Sequence, residues 1–120
     1  MINKYTLIEV IFLILLFTQM TINDTEAQGL EDIKLPDGFK IEIYASDIQN
    51  ARSMVLSPDG ILFVGTRKVG NVYAVLDKDK DNKAEHIIKI AQGLNMPNGV
   101  DFRKGSLYVA EVNRVLRYDN

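Results

Sequence analysis

Three aspartates on alternate residues form the clearest set of metal-binding side chains in the sequence. Asp77, Asp79 and Asp81 lie in one charged segment with lysines interleaved between them. Oxygen donors at this spacing resemble the beginning of a calcium-binding loop. A complete EF-hand would place glycine and a bidentate glutamate where this chain has Asn82 and Ile88. Calcium is therefore one interpretation of the segment, and a solvated loop between strands is the other.

Arg52 and Asn98 form a second pair of candidate binding residues. Each stands directly before an apolar segment, and the two are 46 positions apart. A guanidinium can pair bidentately with a carboxylate or bind a quinone oxygen, and an amide can both donate and accept hydrogen bonds. The alternative is local, with Arg52 capping a turn and Asn98 favouring the turn before Gly99.

The spacing of this pair belongs to an internal repeat of forty-odd residues. Three blocks of the first unit match the second unit at offsets of 46, 45 and 43: 41–52 with 87–98, 60–66 with 105–111, and 72–75 with 115–118. Each unit reads as about four short strands, which cannot bury their apolar faces singly. This pattern predicts an all-β fold, a β-propeller with about two blades present. A β-sandwich with evenly spaced hairpins is the competing architecture.

The strands are predicted from alternation and turn chemistry. Phe39–Tyr44 alternates apolar and polar residues, as a half-buried strand does, and Pro58-Asp59-Gly60 is a turn between two apolar strands. Further strands are expected at Val72–Leu76 and His86–Ala91. The aromatic residues are expected to form the core between blades (Tyr44, Phe63, Tyr73, Phe102 and Tyr108). In a propeller, Arg52 and Asn98 would then lie at the entrances of two innermost strands and face a common axial site.

Composition excludes several kinds of function. The 120 residues hold 14 basic and 16 acidic side chains, a net charge of −2, which provides no electrostatic case for nucleic-acid binding. The absence of cysteine excludes disulfides, thiolate metal sites and a cysteine nucleophile. The one histidine, His86, matches Lys40 in the repeat, on an outer strand far from the expected axis.

The N-terminus has the order of a secretory signal peptide. Lys4 precedes the apolar run Val10–Phe17, and Thr25 and Ala27 occupy the −3 and −1 positions of a cut after Ala27. We therefore expect residues 1–27 to be a helical signal peptide, 28–38 a lead-in and 39–120 the propeller. Export to the periplasm or outside the cell follows, with membrane contact only through an uncleaved signal. An uncleaved anchor or a buried helix are the alternatives.

The number of repeat units indicates an incomplete ring. Two units are present, whereas propellers close with about four to eight blades. Two blades alone would leave a strand edge exposed. We therefore expect the chain to be the N-terminal fragment of a longer protein.

The ordered set of motifs resembles a known family. The segments are LPDGFKI (35–41), ARS (51–53), SPDGILFVGTR (57–67), GNVYAV (70–75), GLNMPNGV (93–100) and LYVAE (107–111). Together they resemble the opening of the glucose/sorbosone dehydrogenases and the related pyranose dehydrogenases, which use pyrroloquinoline quinone. The resemblance covers residues 35–119.

The resemblance implies a six-bladed propeller that binds pyrroloquinoline quinone over its axial mouth, usually with calcium. It implies oxidation of a sugar hydroxyl or aldehyde hydrate, a histidine base, and an electron acceptor such as a cytochrome. Only Arg52 and Asn98 match positions that would touch the cofactor, so the fragment alone is expected to be inactive. A propeller that binds ligands without redox chemistry, or a calcium-dependent lactonase-like hydrolase, is the alternative.

Overall fold

The computed structural model describes residues 29–119 and shows an all-β protein. Among these residues there is no helix, and so none that could cross a membrane. Seven strands form two antiparallel sheets with the orders β1-β2-β3-β4 and β5-β6-β7. The strands are β1 Ala51–Leu56, β2 Leu62–Thr66, β3 Val72–Leu76, β4 His86–Ala91, β5 Gly99–Arg103, β6 Ser106–Ala110 and β7 Val115–Asp119. The predicted signal peptide, residues 1–27, lies outside the described part.

The chain divides after Ile41 into two compact units. In the described part of the first unit, residues 29–41, the backbone forms two turns closed by hydrogen bonds from Ile33 N to Leu30 O and from Phe39 N to Pro36 O, each 3.2 Å. Both sheets belong to the second unit, which begins at Glu42.

The prediction of a strand at Phe39–Tyr44 is wrong. These residues belong to neither sheet, and Phe39 is 72% exposed. A strand needs a neighbour that satisfies its backbone groups, and none of the seven strands pairs with this segment. Tyr44 O accepts a backbone hydrogen bond from Ala84 N at 2.8 Å, outside either sheet. Alternation of apolar and polar residues therefore identified a segment that could form a strand, but it did not show whether a neighbouring strand pairs with that segment.

The predicted turn at Pro58-Asp59-Gly60 is confirmed. In the β1–β2 connection, Ser57 Oγ accepts from Ile61 N at 3.1 Å, and Gly60 takes a positive φ of 83°. The β5–β6 connection is shorter. Lys104 and Gly105 have φ values of 50° and 83°, as the two central residues of a type I′ hairpin require.

The repeat is confirmed pair by pair in the registers of the two sheets. In β2–β3 the opposed residues are Leu62↔Val75, Phe63↔Ala74, Val64↔Tyr73 and Gly65↔Val72. Adding the offsets of 45 and 43 gives four of the five pairs of β6–β7, which are Leu107↔Tyr118, Tyr108↔Arg117, Val109↔Leu116 and Ala110↔Val115. The second sheet is thus a copy of the first three strands of the first sheet.

The core lies where the two sheets meet. Val72, Leu107 and Val109 are buried at its centre, and Phe63 stacks on Phe102 with ring centroids 5.6 Å apart. Those two aromatic residues therefore confirm the prediction of an inter-sheet core. Tyr44, Tyr73 and Tyr108 are half-buried and lie outside this cluster. They were assigned to it because composition does not show which face of a strand a residue occupies.

The two sheets contact each other through different faces. The first sheet uses a receiving face that contains Ser53, Val55, Phe63, Gly65 and Val72. The second sheet uses an inserting face that contains Val100, Phe102, Leu107, Val109, Leu116 and Tyr118. In the repeat, the equivalents of the receiving residues are Gly99, Asp101, Tyr108, Ala110 and Val115, on the opposite face of the second sheet. The sheets are therefore stacked head to tail.

We predict that Gly65→Ala destabilises the fold by about 1–3 kcal/mol, the usual cost of overpacking. A Cβ at Gly65 would lie 2.4 Å from the carbonyl oxygen of Pro97, which is backbone and cannot turn aside. At a strand position with free space, Gly→Ala would instead stabilise by about 0.5–1 kcal/mol. Urea unfolding measures the sign, and a more stable variant would contradict the close approach of β2 to Pro97.

Candidate functional site

Arg52 is the second residue of β1, and its side chain is exposed. It makes no hydrogen bond or ion pair with any residue in the range 29–119. The turn-capping role considered for it is therefore not seen within the described chain. What the structure presents is a guanidinium directed at solvent from the beginning of a strand.

Asn98 directly precedes β5 and is held there by its neighbours along the chain. Its backbone N–H donates to Met96 O at 2.6 Å, and Met96 has a positive φ of 51°. Pro97 is fully buried, with its carbonyl beside Gly65 of β2. The Asn98 side chain is exposed and has no hydrogen-bond partner among the described residues. A rigid backbone thus presents an unpaired amide.

The contact between the sheets joins the segments that carry Arg52 and Asn98. Ser53 Oγ accepts a hydrogen bond from Val100 N at 3.3 Å, which joins β1 to β5 near the beginnings of both strands. Arg52 is one residue from this bond, and Asn98 is two residues from it. A guanidinium and a neutral amide near the beginnings of these two strands are donors of the kind that carboxylate and carbonyl oxygens accept.

The acidic segment after β3 is more compact than the sequence suggested. One carboxylate oxygen from each of Asp77, Asp79, Asp81 and Glu85 lies within 4.8 Å of the other three. Glu85 is the member that sequence reasoning missed, because the EF-hand template directs attention to the twelfth position, Ile88, and Glu85 is at the ninth. The ninth position of such a loop is itself a ligand position, so the signal was present.

The backbone of this loop is shaped by the same carboxylates. Asn82 N donates to Asp77 Oδ2 at 3.1 Å, and Lys78 N donates to Glu85 Oε2 at 2.7 Å. Asn82 has a φ of 69°, the left-handed conformation that glycine would supply at this position and that asparagine tolerates. The substitution of asparagine for glycine therefore does not prevent the tight turn.

Asp77 is the innermost of the four acidic side chains. Its Oδ1 atom is buried and has no hydrogen-bond partner within the described chain. Nearby, burial raises the pKa of the Tyr44 phenol, with smaller contributions from the negative charges of Asp77 and Glu85. A buried carboxylate oxygen without a donor is costly unless a cation or other donor meets it.

Glu111 and Arg114 form a structural ion pair. The side chain of Glu111 is only 1% exposed, and its Oε2 accepts from Arg114 Nε. Its Oε1 accepts from the backbone N–H of Asn95 at 2.5 Å. The hydrogen bond from Arg114, followed by that from Asn95, lowers the pKa of Glu111. Glu111 therefore ties the end of β6 to the segment that leads to Asn98.

The repeat gives Glu111 a counterpart in the first sheet. Thr66 occupies the equivalent position and is fully buried. Its hydroxyl accepts from Asn71 N at 2.9 Å and donates to Asn71 O at 2.8 Å. Both repeats thus close the turn after their second strand with a buried side chain. This equivalence was the available signal that Glu111 is structural.

Two other features lie away from Arg52 and Asn98. His86 begins β4, the outer strand of the first sheet, and is exposed, as its place in the repeat predicts. A groove of about 770 Å³ opens between the sheets at the far ends of β1 and β5, with Phe63, Phe102, Ile90 and Tyr118 among its lining residues. Neither feature contributes to the group at the strand beginnings.

Comparison with known proteins finds a distant relative. The chain is 31% identical over 114 residues to an uncharacterised protein of Borreliella burgdorferi. The match covers 94% of this chain and 27% of that relative, so the chain spans about a quarter of the relative's length. No protein-family model matches the sequence. No solved structure matches it either.

We predict that the ion pair between Glu111 and Arg114 makes the free energy of unfolding depend on pH in the acid range. Because its pKa is lowered in the folded protein, its contribution is complete above about pH 4.5, the ordinary value, and is lost as the pH falls through the lowered value. The difference in unfolding free energy between wild type and Glu111→Gln should be constant at neutral pH and shrink below pH 4.5. Asp101→Asn, on an exposed side chain of β5, is the control. An equal acid response in both variants would contradict the assignment.

Proposed function

We propose that this chain is the N-terminal part of an exported six-bladed β-propeller, a pyrroloquinoline quinone-dependent sugar dehydrogenase. The substrate is a sugar hydroxyl or aldehyde hydrate of the sorbosone, glucose or pyranose type. The observation that carries the architecture is the head-to-tail packing of two equivalent sheets. The curated relative, of which this chain spans 27%, supports the view that a longer protein surrounds it.

Head-to-tail packing supports a ring, because a heterologous interface repeats until it closes or continues as a filament. In a sandwich of two sheets, each sheet would bury one apolar face against the other sheet and would leave its second face to solvent. Here the second sheet still has an open receiving face, with a shallow hollow of about 290 Å³. Five of the residues that line this hollow are the repeat equivalents of those that receive the second sheet on the first: Gly99, Asp101, Tyr108, Ala110 and Val115. A third sheet of the same design would fit there.

In this arrangement β1 and β5 are the innermost strands, and Arg52 and Asn98 face the axial mouth. Their donors fit the carboxylate and quinone oxygens of the cofactor. When bound, pyrroloquinoline quinone supplies the hydride acceptor. The chain's own contribution is to bind and orient the cofactor. Arg52 neutralises negative charge on the cofactor, and Asn98 orients it through a hydrogen bond.

The proposal assigns the catalytic base and the release of electrons to the rest of the longer protein. His86, on the outer strand β4, is three strands away from β1 in the sheet order and does not face the proposed axis. A histidine on another blade would remove the hydroxyl proton, and an acceptor such as a cytochrome would take up the electrons. The two blades alone are therefore expected to be inactive.

We predict that Arg52→Ala in the full-length protein weakens binding of pyrroloquinoline quinone by about 1.5–3 kcal/mol, the range for a hydrogen bond to a charged group. Asn98→Ala should weaken it by about 0.5–1.5 kcal/mol, the range for a neutral hydrogen bond. Cofactor absorbance measured during titration, with calcium present, gives the affinity. Dye reduction with a panel of sugars gives the activity.

Arg103→Ala is the matched control, because Arg103 is an exposed arginine at the opposite end of β5. It should leave cofactor affinity unchanged. If wild-type protein binds no cofactor at micromolar concentrations, the dehydrogenase proposal is wrong. Equal losses of cofactor affinity in Arg52→Ala and Arg103→Ala would contradict the place of Arg52 at the axial mouth and would leave the dehydrogenase proposal intact.

We also propose that the acidic loop after β3 binds calcium. All four donors are carboxylates, which are the hard oxygen ligands that calcium prefers. Asp77 contributes a buried oxygen without a partner in the described chain, and Asn82 already adopts the conformation that the loop needs. A cation held here would join the end of β3 to the beginning of β4 and stiffen the outer hairpin.

We predict that calcium raises the melting temperature of this chain, since a ligand at 100 times its Kd stabilises by about 2.7 kcal/mol. Asp77→Asn and Glu85→Gln should abolish this gain. Asp59→Asn, in the β1–β2 turn, should retain it. Differential scanning calorimetry with and without millimolar calcium makes the comparison. No change for wild type would show that the loop is only a solvated connection.

A further inference from the structure

The edge at which β1, β3, β5 and β7 begin carries an excess of positive charge. Antiparallel strands alternate in direction, so β2, β4 and β6 end at this same edge, which we call the entrance edge. The bond between Ser53 and Val100 joins the two sheets there. The entrance edge comprises residues 50–52, 67–71, 92–98 and 111–114. Its basic side chains, which we call the basic rim, are Arg52, Arg67, Lys68 and Arg114.

The positive charge of the basic rim faces solvent, whereas the negative charge beside it is buried. Arg52, Arg67 and Lys68 are exposed, and none of them forms an ion pair with a residue in the range 29–119. Glu111 is the acidic residue of the entrance edge. Its side chain is 1% exposed, whereas that of its partner Arg114 is 61% exposed. A ligand in solution therefore meets the cations of this edge and not its carboxylate.

The opposite edge has no such excess of positive charge. Its connections and strand ends are residues 57–61, 77–86, 103–106 and 119, and they hold six acidic and five basic side chains. Asp47, five positions before Arg52, is the acidic residue nearest to the entrance edge along the chain before β1. Counting Asp47 with Glu111 leaves four basic against two acidic side chains at the entrance edge. The two sheets are therefore polarised along their strands, although the whole chain has a net charge of only −2.

The basic rim extends over both sheets. Arg67 follows β2, which pairs with β1, and neighbouring strands lie about 4.8 Å apart. Arg114 belongs to the second sheet, and packed sheets lie about 10 Å apart. The exposed amides of Asn95 and Asn98 add neutral donors on the connection between the sheets. Donors spread in this way suit an extended ligand with several carboxylates better than one small anion.

Two features favour a protein over a nucleic acid as this ligand. Val112 is 66% exposed, next to Glu111 in the β6–β7 connection, and protein interfaces combine apolar contacts with a polar surround. The residues of the entrance edge include no aromatic side chain. Proteins that bind single-stranded nucleic acids stack the bases on aromatic side chains. The carboxylates of an acidic protein segment therefore fit this edge better than the phosphates of a nucleic acid.

We propose that the basic rim docks an acidic segment of a partner protein. The guanidinium groups and Lys68 would donate to its Asp and Glu carboxylates, and Val112 would contact an apolar side chain beside them. Because Arg52, Arg67 and Lys68 have no carboxylate partner to lose, docking would not cost them an existing ion pair. Their exposed charge would also attract an acidic partner from a distance and so raise the rate of association.

This inference goes beyond the proposed dehydrogenase and does not require its cofactor. In the proposed ring, the basic rim lies beside the axial mouth, so the acidic partner would be the electron acceptor. If the protein binds no pyrroloquinoline quinone, that role falls, and the charge contact with an acidic segment stands.

Charge reversal on the basic rim tests the inference. Fluorescence anisotropy follows the binding of a labelled peptide of twelve glutamates to the 120-residue chain at about 20 mM NaCl, where surface charges are weakly screened. Arg67→Glu/Lys68→Glu should weaken binding at least about tenfold, because like charges would then face the peptide. Arg103→Glu/Lys104→Glu is the matched control, since it reverses two neighbouring exposed charges at the opposite edge. It should change the affinity by less than about threefold.

Two further variants separate charge from folding. Arg67→Lys/Lys68→Arg keeps both charges and should bind like wild type. Arg67→Gln/Lys68→Gln removes the charges without reversing them and should give an affinity between those of wild type and the glutamate variant. A loss that does not follow this order would contradict a charge contact, whether or not one variant is poorly folded.

Other probes decide the kind of ligand. Wild-type chain that does not bind the glutamate peptide at about 1 mM would overturn the proposal. Equal losses in the two glutamate double variants would also overturn it, because net charge alone would then explain binding. Citrate that displaces the peptide at the peptide's own concentration would indicate a small carboxylate site instead of a docking surface. Tighter binding of a twelve-residue oligothymidine would indicate a nucleic-acid partner and contradict an acidic protein.

Discussion

The contact between the receiving face of the first sheet and the inserting face of the second is the interaction on which the rest of the second unit depends. It buries Val72, Leu107 and Val109 and stacks Phe63 on Phe102. It also requires Gly65, because the Pro97 carbonyl occupies the space of a side chain there. Since Pro97 precedes Asn98 and Ser53 follows Arg52, the same contact that forms the core sets the positions of both candidate binding residues.

The direction of this contact has a structural consequence. Equivalent sheets that met through equivalent faces would complete a pair and leave polar surfaces outside. These sheets meet through different faces. The opposite face of the first sheet is partly covered, because Val64 and Val75 there are buried, whereas Met54 and Leu56 are more than 60% exposed. An unused receiving face remains on the second sheet. Its exposed apolar residue Val115 favours contact with a further sheet, as the proposed ring requires.

Much of the fold could be predicted from the sequence because the repeat constrains it twice. A strand boundary or turn that is ambiguous in one copy is supported by the other, and the repeat offsets relate the strand registers of the two sheets. Phe39–Tyr44 failed because alternation reports which faces a segment could offer, and the partner strand is a non-local property. The aromatic core was only partly correct for a similar reason, since Tyr108 lies on the face opposite the contact.

The candidate sites show the same division between local and non-local information. The alternate aspartates are local, so the sequence revealed them, and Asn82 could take the conformation of the glycine that it replaces. Glu85 was missed because the EF-hand pattern places its last ligand at the twelfth position, which is Ile88 in this chain. The burial of Glu111 is non-local, because its partner Asn95 is a loop residue 16 positions earlier in the chain.

The most direct measurement of the central claim is a crystal structure of the full-length protein at a resolution that shows side chains. The account predicts that a third sheet covers Tyr108, Ala110 and Val115 and that Arg52 and Asn98 line the mouth of a closed ring. A structure in which that face of the second sheet stays open to solvent, or in which the two sheets close as an isolated sandwich, would contradict it.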